Sequence, residues 1–438
     1  MPDAPRHEPT FRRRRARNWL TLGTAYATFY MGRYNLSVAN FSMSREFGWS
    51  KADIGWILTA GFAVYGFSTV INGPLTDRFG GRRVLLVGTA GAAVFNLAFG
   101  LGSLFGAGRG SLLLGYFIAA FAANNYFQSF GACSIVKVNA GWFRLEERGV
   151  FGGIFGAMIQ AGRALTMAVG PVILAHLPWR WLFFIPSLLL VAVWLAVWRN
   201  VRDTPEQAGL PTLETGDGSG ELEGPVSFSY LLAKVFRNPL MLSLTLASFC
   251  IGFSRQGMDQ WMIRYFEEFQ RVRHGAPLFL ALGWGAPMLG VVGGLLSGAL
   301  SDRLFAARRP PVIFLFFVGQ ILFFLLLGRA EGPWAAVFAI LGASLCINGC
   351  HGLLAGVATM DFGGKHASGS AAGLVDGAQY LAGALAGHWM GLLLDRQGWG
   401  VWGYSLIPSA AVGAVLMALL WNAKPHAEVA AATDPLGT

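Results

Sequence analysis

Long apolar runs separated by short polar stretches recur along the whole chain, and windows of about 19 residues locate twelve of them. They cover residues 19–39, 52–74, 83–103, 112–132, 151–172 and 181–198, then 239–260, 278–301, 311–328, 334–356, 369–391 and 401–421. A helix needs about 20 apolar residues to cross the hydrocarbon of a bilayer, so each run is long enough to span. Between the sixth and seventh lies R-N-V-R-D-T-P-E-Q-A-G-L-P, followed by a Gly/Glu/Asp/Ser stretch too polar to build a core. The pattern predicts an all-α membrane protein with 12 transmembrane helices in two pseudo-symmetric six-helix bundles. Its parts are a basic tail (1–18), an N-terminal bundle (19–198), a linker (199–238), a C-terminal bundle (239–421) and a second tail (422–438).

Composition sharpens this picture. Of 438 residues, 54% are hydrophobic and 13% charged, whereas ordinary soluble domains carry about 25% charged residues. Hydrocarbon therefore surrounds much of the surface, and a disordered, collagen-like or charged nucleic-acid-binding protein is excluded. The formal net charge of +10 does not reopen the last of these, because the basic residues punctuate apolar runs instead of forming an aromatic-interleaved patch. They concentrate on one set of loops: the first tail (Arg6, Arg12, Arg13, Arg14, Arg15 and Arg17), the turns after spans 2, 4 and 8, and the linker. An even number of spans puts both termini on that side, and its excess of Lys and Arg predicts cytoplasmic termini in a cell inner membrane. The Arg12 to Arg17 run reads as a topology anchor, with lipid contact as the other reading. No cleavable signal peptide is expected, since the charged start leads into a full-length apolar span.

Candidate chemistry of other kinds is scarce. Cys133, Cys250, Cys346 and Cys350 all sit in apolar segments, and Cys346 and Cys350, one helical turn apart, read as buried small hydrophobes rather than half a metal site. No nucleophile–base set, metal cluster or strand-led phosphate loop is visible. The chain is therefore expected to be no enzyme, with no cofactor, no metal and no nucleic-acid partner. A lipid bilayer and a small anionic solute remain as partners, for a chain expected to act as a monomer.

The two halves echo each other. Span 2 ends in G-P-L-T-D-R-F-G-G-R-R, with Asp77, Arg78 and Arg82, and span 8 ends at the matching place in G-A-L-S-D-R, with Asp302 and Arg303. This resembles the loop signature of the major facilitator superfamily, which implies two bundles rocking about a central site. A carboxylate at a helix end beside arginines can hold a gate through charge and helix N-termini, so these five residues are gating candidates. Lys137, near the end of span 4, joins them.

Further phrases are Y-A-T-F-Y-M-G-R-Y-N (26–35), A-D-I-G (52–55), V-Y-G-F-S (64–68), W-F-R-L-E-E-R-G (142–149) and R-D-T-P-E-Q-A-G-L-P (202–211). Together they resemble the organophosphate:phosphate antiporter family, which includes glycerol-3-phosphate and hexose-phosphate transporters and some membrane sensors. The resemblance implies exchange of a phosphorylated metabolite for inorganic phosphate. It also implies two arginines, one each in helices 1 and 7, that bind the phosphate: Arg33, and Arg255 within G-F-S-R-Q-G-M-D-Q-W. Tyr26, Tyr30 and Tyr380 fall where family tyrosines face the site. The chain departs from glycerol-phosphate transporters at Tyr34 and Thr69, where they carry lysines, at Ile159, where they carry a histidine, and at Gly349, where they carry a tyrosine.

Taken without the family, the two arginines already ask for a function. An intramembrane arginine costs from about 2.5–3.5 kcal/mol on insertion scales to more than 10 in simulations, so it should face protein, water or a counter-charge. Two guanidinium forks converging in a pocket of low dielectric repel each other when empty, and a dianion relieves that repulsion while accepting bidentate hydrogen bonds. The alternative is a permanent carboxylate partner for each, or snorkelling.

Other polar groups keep two readings. Arg163 is a third substrate contact or the partner of an acid such as Asp376. Asp376 balances the arginines or binds sugar hydroxyls, or else pairs with Arg163 or Lys137. His351 and His388 couple transport to protons or simply pack. Asn124, Asn125 and Gln128 are interhelical glue or pore lining. Asp361 and Lys365 are expected to cap the turn after span 10. The leading function is an organophosphate transporter exchanging with phosphate by alternating access. The alternatives are a proton-coupled symporter of a carboxylate or phosphonate, and a sugar-phosphate sensor of the same fold.

Overall fold

The computed structural model describes residues 9–105, 110–144, 147–213, 239–306, 308–354 and 359–422, side chains excepted at 70, 105, 148–155, 159, 240–241 and 359–375. Among these residues there are twelve long helices and no strand. The first six are α1 (Pro9–Phe47), α2 (Lys51–Phe79), α3 (Gly81–Leu101), α4 (Gly110–Trp142), α5 (Arg148–His176) and α6 (Trp181–Asn200). The second six are α7 (Pro239–Asp259), α8 (Pro277–Leu304), α9 (Arg309–Gly328), α10 (Pro333–Gly352), α11 (Thr359–Gln397) and α12 (Trp402–Leu419). Within the linker a single short 3-10 turn, Glu206–Ala208, follows α6, and residues 214–238 and 423–438 lie outside the described residues.

Packing repeats with a shift of six. In the first half α1 packs on α5 and α6, α2 on α4, and α3 on α4 and α6; in the second, α7 packs on α11 and α12, α8 on α10, and α9 on α10 and α12. The two most extensive contacts between the halves, α2 with α11 and α5 with α8, exchange under the same operation. This is the pseudo-two-fold that the repeated loop motif implied.

Several helices run beyond the predicted spans. The first begins at Pro9, inside the expected tail, because Phe11 buries against Trp142 (ring centroids 6.0 Å apart) and Asn18 is buried too. The eleventh extends for 39 residues. A hydropathy window registers only the part of a helix that hydrocarbon surrounds, and good helix formers carry the turn on into the aqueous layer. Seven helices meet a simple length-and-hydropathy criterion for spanning, and α2 meets it only as two pieces, 51–69 and 71–79, bent by 50°. The cause of the bend is Pro74, which lacks the N–H that would bond the carbonyl of residue 70.

The side opposite the termini is closed. There Asp395 of α11 accepts the backbone N–H groups of Lys51 and Ala52 at the start of α2 (3.1 and 2.8 Å), while Glu268 bridges Lys51 and Arg264 at 2.7 Å each. Arg264 also donates to Asn40 (2.7 Å) and Ser44 (2.9 Å) of α1. Glycines bring α2 and α11 into backbone contact: a Cβ on Gly55 would lie 2.6 Å from the Gly387 carbonyl oxygen, and one on Gly387 2.8 Å from that of Gly55. Among the described residues, the hydrogen bonds between halves all lie on this side or near mid-depth.

This seam sets a steric prediction. Overpacking a tight contact costs about 1–3 kcal/mol, so Gly387→Leu should populate a state open on the side away from the termini. In a chain freed of its four native cysteines and carrying Ser37→Cys, thiol labelling from that side should quicken by about tenfold. An unchanged labelling rate would show that the seam is not what holds this side shut.

Candidate anion-binding site

Four of the twelve helices meet at mid-depth around Arg33, on α1. Its side chain is fully buried. One edge is fixed by Gln128 of α4, whose Oε1 accepts from Nε at 3.2 Å, and Nη1 donates to the Tyr380 hydroxyl of α11 at 2.6 Å. Its Cζ stands 4.7 Å from the Tyr30 ring centroid and 4.2 Å from that of Tyr65 on α2. Rings on the two sides hold the guanidinium plane by cation–π attraction, and Nη2 has no protein acceptor. The helix-4 amides thus act as interhelical glue that positions the arginine: Gln128 Nε2 donates to Asn124, and Asn124 donates to the Gly32 carbonyl (both 3.2 Å).

Arg255 enters from α7 and also approaches Tyr380. Cζ of Arg33 lies 5.5 Å and Cζ of Arg255 5.9 Å from the centroid of that one ring. The two cations therefore share an aromatic partner across the interface of the halves. Arg255 is 9% exposed and its Nε meets no protein partner. Neither arginine makes an ion pair within 4 Å among the described residues. Asp376 of α11 lies within electrostatic reach of both without bonding either.

The third arginine is committed. Arg163 of α5 pairs with Asp259 at the end of α7 (Nη2 to Oδ1, 2.5 Å), with side chains 3% and 0% exposed. The Tyr34 hydroxyl donates to the other oxygen of Asp259 at 3.4 Å. This corrects the expectation of Asp376 as the partner of Arg163 or Lys137, since both cations are held by other acids. Lys137 pairs with Asp77 at 2.9 Å.

The tyrosines make ring contacts around Arg33. Tyr26 and Tyr30 meet edge to face (5.4 Å), Tyr30 stacks on Tyr34 (5.9 Å), and Tyr65 faces Tyr380 (4.1 Å). Tyr65 and Asp259 were not singled out from sequence, although both stand inside quoted phrases. Asp259 follows Arg255 by four residues, so it sits on the same helix face one turn on, and a carboxylate within a predicted span is itself a signal. His351 bonds Gln379 (3.0 Å) beside the site, whereas His388 bonds the Ala52 carbonyl (3.0 Å) and stacks on Trp56 (4.1 Å) in the closed seam. Gln160 donates to Asn348 across the halves at 3.3 Å.

The gating candidates lie apart from this centre, at the terminus-side ends of α2, α3, α4 and α8. Asp302 pairs with Arg309 at 2.7 Å, Arg82 donates its amide N–H to Asp203 (2.7 Å) and its guanidinium to the Trp198 carbonyl (2.6 Å), Arg78 covers the Phe79 ring, and Arg303 is exposed. All of these contacts stay within one half. The side chains of Asp361 and Lys365 lie outside those described.

Two helical bundles related by a pseudo-two-fold, with buried cations from each half meeting at the shared interface and no enzymatic centre expected from the residues, define a multi-pass membrane transport protein. The pattern of the Major Facilitator Superfamily matches residues 22–387, and the chain belongs to that family. It is 28% identical to the glycerol-3-phosphate transporter of Bacillus subtilis, over 97% of this chain and 96% of that protein. It is 25% identical to a probable hexose phosphate transport protein of Chlamydia pneumoniae, over 93% and 91%. Among solved structures, a bacterial homologue of the human lysosomal transporter Spinster, in an inward-facing and occupied conformation, superposes with a TM-score of 0.70 at 12% identity, covering 92% of this chain and 93% of that one.

Proposed function

We propose that the chain is a secondary active transporter that carries a small phosphorylated metabolite across a cell inner membrane in exchange for inorganic phosphate, working as a monomer with both termini cytoplasmic. The observation that carries this reading is the pair Arg33 and Arg255. One comes from each half, both approach Tyr380, neither is neutralised by a bonded carboxylate, and each keeps a buried donor without a protein acceptor. A phosphate monoester supplies what this pair lacks: two negative charges and oxygens for bidentate bonds. The relatives, named as carriers of glycerol 3-phosphate and hexose phosphate, favour the same substrate class.

With cytoplasmic termini, the closed side faces outward and the conformation is the inward-facing one. The empty pair of cations resists drawing together, whereas a bound dianion is attracted to both and favours a state with the two bundles closed around it. A return without cargo meets the repulsion again, which is the physical basis for exchange. In this reading Tyr26, Tyr30, Tyr65 and Tyr380 orient the arginines and line the cavity, Asp376 tempers the positive field, and Asp77, Arg78, Arg82, Lys137, Asp302 and Arg303 re-pair when the terminus side closes. A thermal-shift screen with phosphate, phosphate esters, phosphonates and dicarboxylates, followed by counterflow in proteoliposomes, tests it. Phosphate esters should raise apparent stability most, and labelled phosphate should enter only against internal phosphate or ester. Uptake that follows a pH gradient without internal phosphate would reject exchange, and binding without any flux would identify a sensor.

A further inference from the structure

A second group of arginines, remote from the central pair, gathers at the terminus-side surface where the starts of α1 and α3 meet the end of α6. Arg13, Arg14 and Arg17 come from α1, Arg82 and Arg83 from α3, and Arg202 from just beyond α6. Arg202 and Arg17 act electrostatically on Arg14, and Arg202, the carboxylate of Asp203 and Arg83 on Arg82. Partial burial, then Arg202 and Arg17, pull the Arg14 guanidinium below its ordinary pKa. The acids nearby are already engaged: Asp203 accepts the backbone N–H of Arg82 at the start of α3, and Glu147 is taken by Arg15 at 3.0 Å. Three buried donors in this region meet no acceptor among the described residues, namely Arg14 Nη1, Arg82 Nε and Nδ2 of Asn18. Asn18 is 1% exposed and already uses its Oδ1 to accept the Arg202 N–H at 2.8 Å. Immediately toward the bilayer on α1, α3 and α6, Leu20, Val87 and Trp198 are exposed. Such a ring of apolar and aromatic side chains marks the level where acyl chains meet headgroups.

Six arginines in excess of the acids around them, with buried donors that have no acceptor among the described residues, stand above exposed apolar side chains and ask for a ligand that is anionic at one end and hydrocarbon at the other. We propose that this cluster binds the phosphate headgroup of an anionic membrane lipid, with the acyl chains against the apolar side chains that flank it. Phosphate chemistry alone would also suit a soluble anion. The exposed apolar rim is what favours the lipid, and the site is independent of the central pair.

The test uses the full chain in detergent micelles containing phosphatidylglycerol or phosphatidylcholine, with native mass spectrometry counting retained lipid and a thermal-shift assay beside it. Phosphatidylglycerol should be retained in preference and should raise the melting temperature. Each arginine removed, in Arg14→Gln, Arg17→Gln and Arg202→Gln, should weaken apparent affinity about fivefold. Should the buried positions fail to fold, the exposed Arg17→Gln carries the test alone, and Arg33→Lys should leave lipid retention unchanged. Equal retention of the two lipids, or retention indifferent to these substitutions, overturns the proposal. Displacement of the lipid by millimolar inorganic phosphate overturns it in favour of a soluble anion.

Discussion

Replacing Arg33 by lysine should lower the affinity for phosphate by more than about tenfold although the charge is kept. The reason is the geometry of its cage. Gln128 and Tyr380 each take a donor from different edges of one planar group, and the rings of Tyr30 and Tyr65 lie over its faces at 4.7 and 4.2 Å. An ammonium ion cannot satisfy Gln128 and Tyr380 while also presenting a fork to a phosphate. Arg33→Ala should be worse, because each hydrogen bond to a charged group contributes about 1.5–3 kcal/mol, so losing two corresponds to roughly a hundredfold or more. Arg255→Lys should also weaken binding, since it removes the second planar fork. Isothermal titration with phosphate, and counterflow of labelled phosphate in proteoliposomes, measure both substitutions. Counterflow indistinguishable from the parent protein would remove the twin-arginine site from consideration.

The second large effect concerns the buried pair between halves. Arg163→Ala leaves Asp259 fully buried without its ion-pair partner, keeping the Tyr34 hydroxyl as hydrogen-bond donor and Arg255 only at electrostatic range. Breaking a buried pair from one side costs about 3–5 kcal/mol, so the variant should lose most of its thermal stability or abandon the conformation closed away from the termini. The double variant Arg163→Ala/Asp259→Ala removes both charges and should recover most of that loss, giving a coupling of about 3 kcal/mol in a double-mutant cycle. Transport then separates two roles for Arg163. If the double variant exchanges phosphate normally, the pair is a latch between bundles. If it is stable yet inactive, Arg163 leaves Asp259 during the cycle and contacts the cargo. Additive stability losses in the two single variants would show that the two residues are not energetically paired at all.

How much of this was legible beforehand can be judged residue by residue. The twelve spans, the two halves and the repeat between α2 and α8 all follow from apolar runs and from D-R motifs that recur at one place, since a bilayer imposes length and a repeat imposes symmetry. Arg33 and Arg255 stood out because charge is costly in hydrocarbon. Asp259 did not, because it falls one residue inside the end of its predicted span, where a charge can reach water and costs little. Partner assignments were the weakest part: one of the two readings of Asp376 put it beside Arg163 or Lys137, whereas Asp259 and Asp77 hold those cations.

The sequence by itself therefore determined which segments enter the membrane, that they form two related bundles, and which side chains could not be buried there without a reason. Those properties depend on transfer free energy summed along a local stretch, which any window of residues reveals. Only the tertiary structure decided which acid neutralises which base, which arginines retain donors without protein partners, and which side of the molecule is shut. Ion pairing inside a low-dielectric interior depends on separations of a few ångströms between helices far apart in the chain, and no spacing along one helix encodes them.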